Sequence, residues 1–149
     1  MNSLFAFLHH IAAFTLVAAL AMELALIRET LSTSIARKLQ RADLIFGLSA
    51  AAVLVIGLLR VVYFGKGVTY YLSNVPFMAK LTLFIIIGVL SIYPTREFLS
   101  WRHTLKAGRI PYVAPDKLRK LRVTIYLELA ALPALILCAA LMARGVGSL

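Results

Sequence analysis

Four apolar runs, each close to the length of a membrane-crossing helix, constrain the fold of this chain more than any other feature. They cover residues of about 4–27, 42–64, 75–93 and 121–142. A hydrocarbon layer about 30 Å thick is crossed by roughly 20 apolar residues in an α-helix. Lipid offers no hydrogen bonds to an open backbone, so each run is expected to be helical. The sequence therefore predicts an all-α integral membrane protein, an antiparallel four-helix bundle formed as one domain over residues 1–149.

Composition and charge agree with a membrane location rather than with nucleic-acid binding. Hydrophobic residues make up 62% of the chain, charged residues only 15%, and the mean hydropathy is +0.91. The net charge of +10 would suit a nucleic-acid partner if it lay on a soluble face. The basic residues instead flank the apolar runs, so the lipid bilayer is the expected partner and no nucleic acid is expected.

The distribution of basic residues between the connections predicts the orientation of the chain. The N-terminal tail carries none, the second connection carries only Lys66, and the C-terminal tail carries only Arg144. The other two connections are strongly basic, and loops of this kind remain in the cytoplasm. We therefore expect a multi-pass protein of the bacterial inner membrane with both termini on the outer side. The residues concerned are Arg28, Arg37, Lys38, Arg41, Arg96, Arg102, Lys106, Arg109, Lys117, Arg119, Lys120 and Arg122.

The segment after the third run has the pattern of a short interfacial helix. Pro94 is expected to kink or end the third span, because proline inside a helix removes a hydrogen bond. The following sequence, "TREFLSWRHTLKAGR", keeps Phe98, Leu99, Trp101 and Leu105 among charged residues. Such amphipathic segments lie along a membrane surface. A short helix at the cytoplasmic surface is the predicted structure.

Basic and imidazole side chains interrupt three of the apolar runs near their outer ends. His9 and His10 lie on the first run, Arg60 on the second and Lys80 on the third, within roughly one helical turn of one another in depth. The intramembrane carboxyl groups fall in the other half of the membrane. Cations buried without an anion are costly, so a bound ligand with carboxylates or phosphates is one explanation. The other is that these residues snorkel to the membrane surface.

The two histidines point in different directions on a helix. At 100° per residue they are about 100° apart, and Glu23 lies about 40° from His9 but on the far side from His10. Helical phase therefore favours His9 as the inward-facing histidine.

Two glutamates lie at similar depth in the inner half of the membrane, Glu23 on the first run and Glu128 on the fourth. The expected role is a structural ion pair with a neighbouring arginine, and a proton relay is the alternative. Asp43 opens the apolar part of the second run and is expected to act as a cap or interfacial residue. The arginines available for pairing are Arg28, Arg96 and Arg122.

Sulfur ligands offer little. Cys138 is the only cysteine, which excludes an internal disulfide and a cysteine-based metal cage. Met78, Met142 and Cys138 share the outer half with the histidines, but their spacing forms no recognisable copper motif. Copper is therefore the weaker of the metals to consider.

Three segments carry a resemblance to known families: "LHHIAAFTLVAALAMEL", "ARKLQRADLIFGLSAAAVLVIGLLR" and "FMAKLTLFIIIGVLSIYPTREFLSWR". Together they resemble the bacterial membrane protoporphyrinogen oxidases of the HemJ type and, more loosely, the CopD copper-resistance membrane domain. They resemble still more closely an uncharacterised family of small bacterial membrane proteins of unknown function. The HemJ resemblance implies haem b as cofactor and a key His and Lys, which align with His10 and Lys80. Arg60 has no counterpart in that pattern.

These observations lead to one principal hypothesis with open alternatives. The chain is expected to bind haem b or a related tetrapyrrole, with His10 or His9 as iron ligand and with Lys80 and Arg60 around the macrocycle. The resemblance implies a protoporphyrinogen-oxidase type of oxidoreductase with Lys80 as candidate catalytic residue, and the sequence leaves open whether the chain is an enzyme. A membrane scaffold or accessory subunit is the first alternative. A copper or small-anion transport module is the second, and it would require a homo-oligomer.

Overall fold

The fold is entirely helical in the part of the chain that the computed structural model describes, residues 2–145. Four of its helices are long and apolar enough to cross a membrane, which confirms the predicted fold class. The second of them ends in one π-helical turn, Arg60–Phe64. The α-helices are α1 (Asn2–Ile27), α2 (Thr33–Leu59), α3 (Val68–Leu72), α4 (Val75–Ser100), α5 (Arg102–Lys106) and α6 (Pro115–Ala143).

The long helices form a ring in which each packs against two others. α1 lies beside α2 and α6, and α4 lies beside α2 and α6. Neighbours in the ring run in opposite directions, as short connections between consecutive spans require. The result is an antiparallel bundle with large apolar side chains on its outer faces, where a membrane protein meets lipid.

The tightly packed core lies in the half of the bundle next to the two basic connections, hereafter the basic half. Its fully enclosed side chains come from all four long helices and include Leu20, Leu39, Phe98, Leu121 and Ile125. In the opposite half fewer side chains are enclosed, and no described residue of α6 beyond Leu132 is buried. Packing therefore anchors the bundle at the basic half.

Two helices extend past the apolar runs, so the basic residues lie on helical extensions rather than in loops. α2 begins at Thr33 because Ser32 caps it, with its Oγ accepting a hydrogen bond from the Ile35 N–H at 3.1 Å. α6 begins at Pro115, and proline is well suited to the first helical position. The positive charge thus forms a collar on the ends of the helices.

The third long helix passes through its proline. α4 continues past Pro94, which is buried, to Ser100, so Pro94 does not end the span. After Trp101 the chain forms α5, the short helix expected after the third span. α2 holds this corner by two side-chain hydrogen bonds: Gln40 Nε2 donates to the Phe98 carbonyl at 2.6 Å, and Arg37 Nη2 donates to the Leu105 carbonyl at 3.3 Å.

The start of α4 provides a test of helix capping. Asn74 is fully buried, and its Oδ1 accepts a hydrogen bond from the Phe77 N–H at 3.0 Å. Asn74→Ala is expected to lower the free energy of unfolding by about 1 kcal/mol, the usual contribution of an N-cap. The measurement is loss of helical circular dichroism during titration of detergent-solubilised protein with dodecyl sulfate. Ser73→Ala, at the exposed neighbouring position, is the control; equal effects of the two changes would contradict the capping role.

Candidate functional site

Polar side chains from three helices meet in the less tightly packed half of the bundle. His9 lies one helical turn before Ala12, the first buried residue of α1. Lys80 lies on the inward stripe of α4, one turn after Pro76 and two turns before Ile87, which are both buried. Because these positions continue the buried faces of their helices, the side chains turn toward neighbouring helices. We call His9, Arg60 and Lys80 the cationic cluster.

His9 is the best enclosed member of the cluster. Its ring packs against the backbone of α2 at Gly57, where a Cβ atom would lie 3.4 Å from His9 Cε1. Its Nδ1 is buried and has no hydrogen-bond partner. An interaction of the ring with the Val53 backbone falls outside hydrogen-bond geometry, so it leaves this nitrogen unsatisfied. A buried nitrogen without a partner is uncommon and points to a group that binds there.

Arg60 and Lys80 both lie within electrostatic range of His9 and of each other. The register between α2 and α4 explains this. The Thr95 hydroxyl donates to Asp43 Oδ1 at 2.7 Å. Seventeen residues further along each antiparallel helix, the same register brings Arg60 opposite the turn that contains Lys80.

Arg60 begins the π-helical turn Arg60–Phe64. π-helical turns are rare and are often found at functional sites. The ring of Phe64, at the end of this turn, packs against Phe5 of α1 with centroids 5.1 Å apart. The sequence "RVVYF" contains no glycine or proline, so nothing in it indicated a departure from α-helical geometry.

His10 lies outside the cluster. It is exposed, its Nδ1 is 2.6 Å from the Ala6 carbonyl, and its ring meets that of His9 edge-on at a centroid distance of 6.2 Å. Of the two histidines, His9 is therefore the one that faces Arg60 and Lys80.

No carboxylate neutralises the cationic cluster within the described residues. Over residues 2–145 the one ion pair joins Lys117 Nζ to Glu97 Oε2 at 3.1 Å, in the basic half. Buried cations without an anion carry a desolvation cost that nothing offsets. The arrangement can hold a ligand that carries negative charge.

The buried carboxyl groups converge in the basic half, and their arrangement differs from two predictions. Glu23, Asp43 and Glu128 lie within electrostatic range of one another, and we call them the carboxyl centre. Neither glutamate forms an ion pair with an arginine among the described residues, because Arg122 Nε instead donates to the Ile27 carbonyl at the end of α1. Asp43 is not a cap, since Ser32 begins α2 ten residues earlier and Asp43 is buried.

Neither of the two best-formed surface pockets lies at the cationic cluster. Within the described residues, no three His, Cys, Asp or Glu side chains are arranged to hold a metal ion. The smaller pocket, of about 160 Å³, lies between α2 and α5. The larger, of about 610 Å³, lies between α4 and α6 and is lined by Tyr93, Asp116, Arg119, Lys120, Val123 and Thr124. Both pockets are in the basic half.

Comparison with known proteins identifies the family but adds no function. The chain matches no curated protein and no solved structure, so the resemblance to the HemJ and CopD proteins gains no support there. One family model, described as "Predicted membrane protein (DUF2214)", matches residues 1–147. This match agrees with the expected family of membrane proteins of unknown function. Nearly the whole chain is covered, and the protein therefore belongs to the DUF2214 family of predicted membrane proteins.

Proposed function

We propose that this protein binds an anionic tetrapyrrole, haem b, at the cationic cluster. The observation that carries the proposal is the convergence of His9, Arg60 and Lys80 from α1, the end of α2 and α4, with no carboxylate partner among the described residues. A ligand with two carboxylates would offset the cost of placing two cations inside a membrane. The basic connections favour a position for this site in the outer leaflet of the inner membrane, with both termini outside.

The donor set of the cluster fits haem. The unpartnered imidazole of His9 is suited to haem iron, and the two cations are suited to the two propionates. Apolar side chains beside the cluster remain exposed, among them Leu8, Leu58 and Met78, and they offer surface for a macrocycle. Bound haem would supply one-electron redox chemistry. A HemJ-like oxidase activity is part of this proposal, with Lys80 as the group that would position a propionate.

The test of this proposal is the visible spectrum of protein purified in mild detergent from haem-replete cells. We expect a Soret band and a stoichiometric haem content in the wild type. Lys80→Met and Arg60→Gln should each weaken haem binding about tenfold or more, because a hydrogen bond to a charged group contributes about 1.5–3 kcal/mol.

Lys66→Met provides a control with the same change of charge. Lys66 is exposed at the same end of the bundle, with its Nζ 4.7 Å from the centre of the Tyr70 ring, and its loss should leave the haem content unchanged. A wild type without a Soret band, or a band that survives both cluster substitutions, would overturn the proposal. Copper in place of iron in the purified protein would instead favour the copper alternative.

A further inference from the structure

The carboxyl centre brings together acidic groups from three helices. Glu23 of α1, Asp43 of α2 and Glu128 of α6 are 2%, 7% and 1% exposed, respectively. The contact of His9 with Gly57 sets the register between α1 and α2, and 14 residues further along each antiparallel helix it brings Glu23 level with Asp43. α4 contributes Thr95, whose hydroxyl donates to Asp43. All four long helices therefore meet at this point.

Two oxygens of this centre have no partner. Oε1 of Glu23 and Oε1 of Glu128 are buried and form no hydrogen bond within the described residues. Every packed helix has one arginine near the centre, but none of the four forms an ion pair with it among the described residues. The arginines of α1, α2 and α4 are exposed, and that of α6 is hydrogen-bonded to the Ile27 carbonyl; they are Arg28, Arg41, Arg96 and Arg122.

Electrostatics limits the charge that such a centre can carry. An ionised carboxylate that is removed from water without a partner costs several kcal/mol, and adjacent negative charges add repulsion. A bound proton removes one charge and adds an O–H donor for a neighbouring carboxyl oxygen. The two unpartnered glutamate oxygens are placed to take part in such sharing. A metal ion is less suitable, because the described residues contain no group of three arranged to hold one.

We propose that Glu23, Asp43 and Glu128 form a proton-binding centre, which holds protons at neutral pH and exchanges them with water at the basic end of the bundle. The pocket between α4 and α6 gives the route. Thr124 lines this pocket and lies one helical turn from Glu128, so water in the pocket comes close to the centre. This function is independent of haem binding at the other half of the bundle.

Infrared spectroscopy of the purified, detergent-solubilised protein tests the proposal directly. At neutral pH we expect the carbonyl band of protonated carboxylic acids, with a shift in heavy water as the bound protons exchange. Glu23→Gln, Asp43→Asn and Glu128→Gln should each remove part of this band, and the triple variant should lose it. Replacing choline chloride by sodium chloride in the buffer should leave the wild-type band unchanged.

Glu97→Gln is the matched control, because Glu97 is paired with Lys117 and accepts a hydrogen bond from Trp101 Nε1 at 3.2 Å. It should leave the band intact. Absence of the protonated band in the wild type would overturn the proposal without any variant having to fold. Loss of the band in sodium would show a sodium site instead, and a band unaltered after long exposure to heavy water would show trapped structural protons. Either result would overturn proton exchange.

Discussion

His9→Ala is expected to purify almost free of haem, whereas His10→Ala should retain it at the wild-type ratio. His9 is the histidine that faces Arg60 and Lys80, and its Nδ1 is buried without a partner. Loss of an outer-shell partner of a metal ligand commonly costs about 10–100-fold in affinity, so loss of the ligand itself should cost at least as much. The measurement is the ratio of haem, assayed as the pyridine complex, to protein.

His10→Ala is a demanding control because the adjacent residue has the same chemistry and the HemJ resemblance aligns the family histidine with it. Its exposed ring already has a local partner in the Ala6 carbonyl. Free imidazole should restore the Soret band of His9→Ala, since it supplies the missing ligand without altering the bundle. Loss of haem in His10→Ala alone would contradict the assignment of His9. Retention of haem by both variants would show that neither histidine binds the iron.

The number of spans and the fold class could be predicted because both follow from local physical constraints. Membrane thickness sets the length of each apolar run, and the need to satisfy the backbone requires helices. The inward direction of His9 also followed from a local rule, since a helix turns by 100° per residue and puts His9 and Glu23 on nearby faces. Glu23 is buried and His9 is half-buried in the structure.

The carboxyl centre could not be predicted in the same way, because it depends on where helices begin and how they pack. Asp43 stands at the edge of an apolar run, which suggested an interfacial position. Ser32 instead begins α2 ten residues earlier, so Asp43 lies inside the bundle beside Thr95 of α4. Arg122 was expected to pair with a glutamate but binds the Ile27 carbonyl, one of the unpaired groups at the end of α1.

Phe98→Ala is expected to lower the free energy of unfolding by about 3–5 kcal/mol, the usual cost of removing a buried aromatic ring. Phe98 is fully buried, and its ring lies 5.1 Å from that of Trp101 at an interplanar angle of 61°. Its backbone carbonyl accepts the hydrogen bond from Gln40 that holds the α4–α5 corner against α2. The cavity would open in the half of the bundle where the core is most tightly packed. Dodecyl sulfate titration, followed by helical circular dichroism, measures the loss.

Phe14→Ala removes the same ring from a surface position and separates packing from simple loss of apolar side chain. Phe14 is 74% exposed on α1, where a phenylalanine in a membrane protein meets lipid. Its replacement is expected to change the free energy of unfolding by no more than about 0.5 kcal/mol, as for most surface substitutions. Equal losses in the two variants would mean that Phe98 packs against lipid rather than protein. A large loss confined to Phe98→Ala would establish that the basic half holds the bundle together.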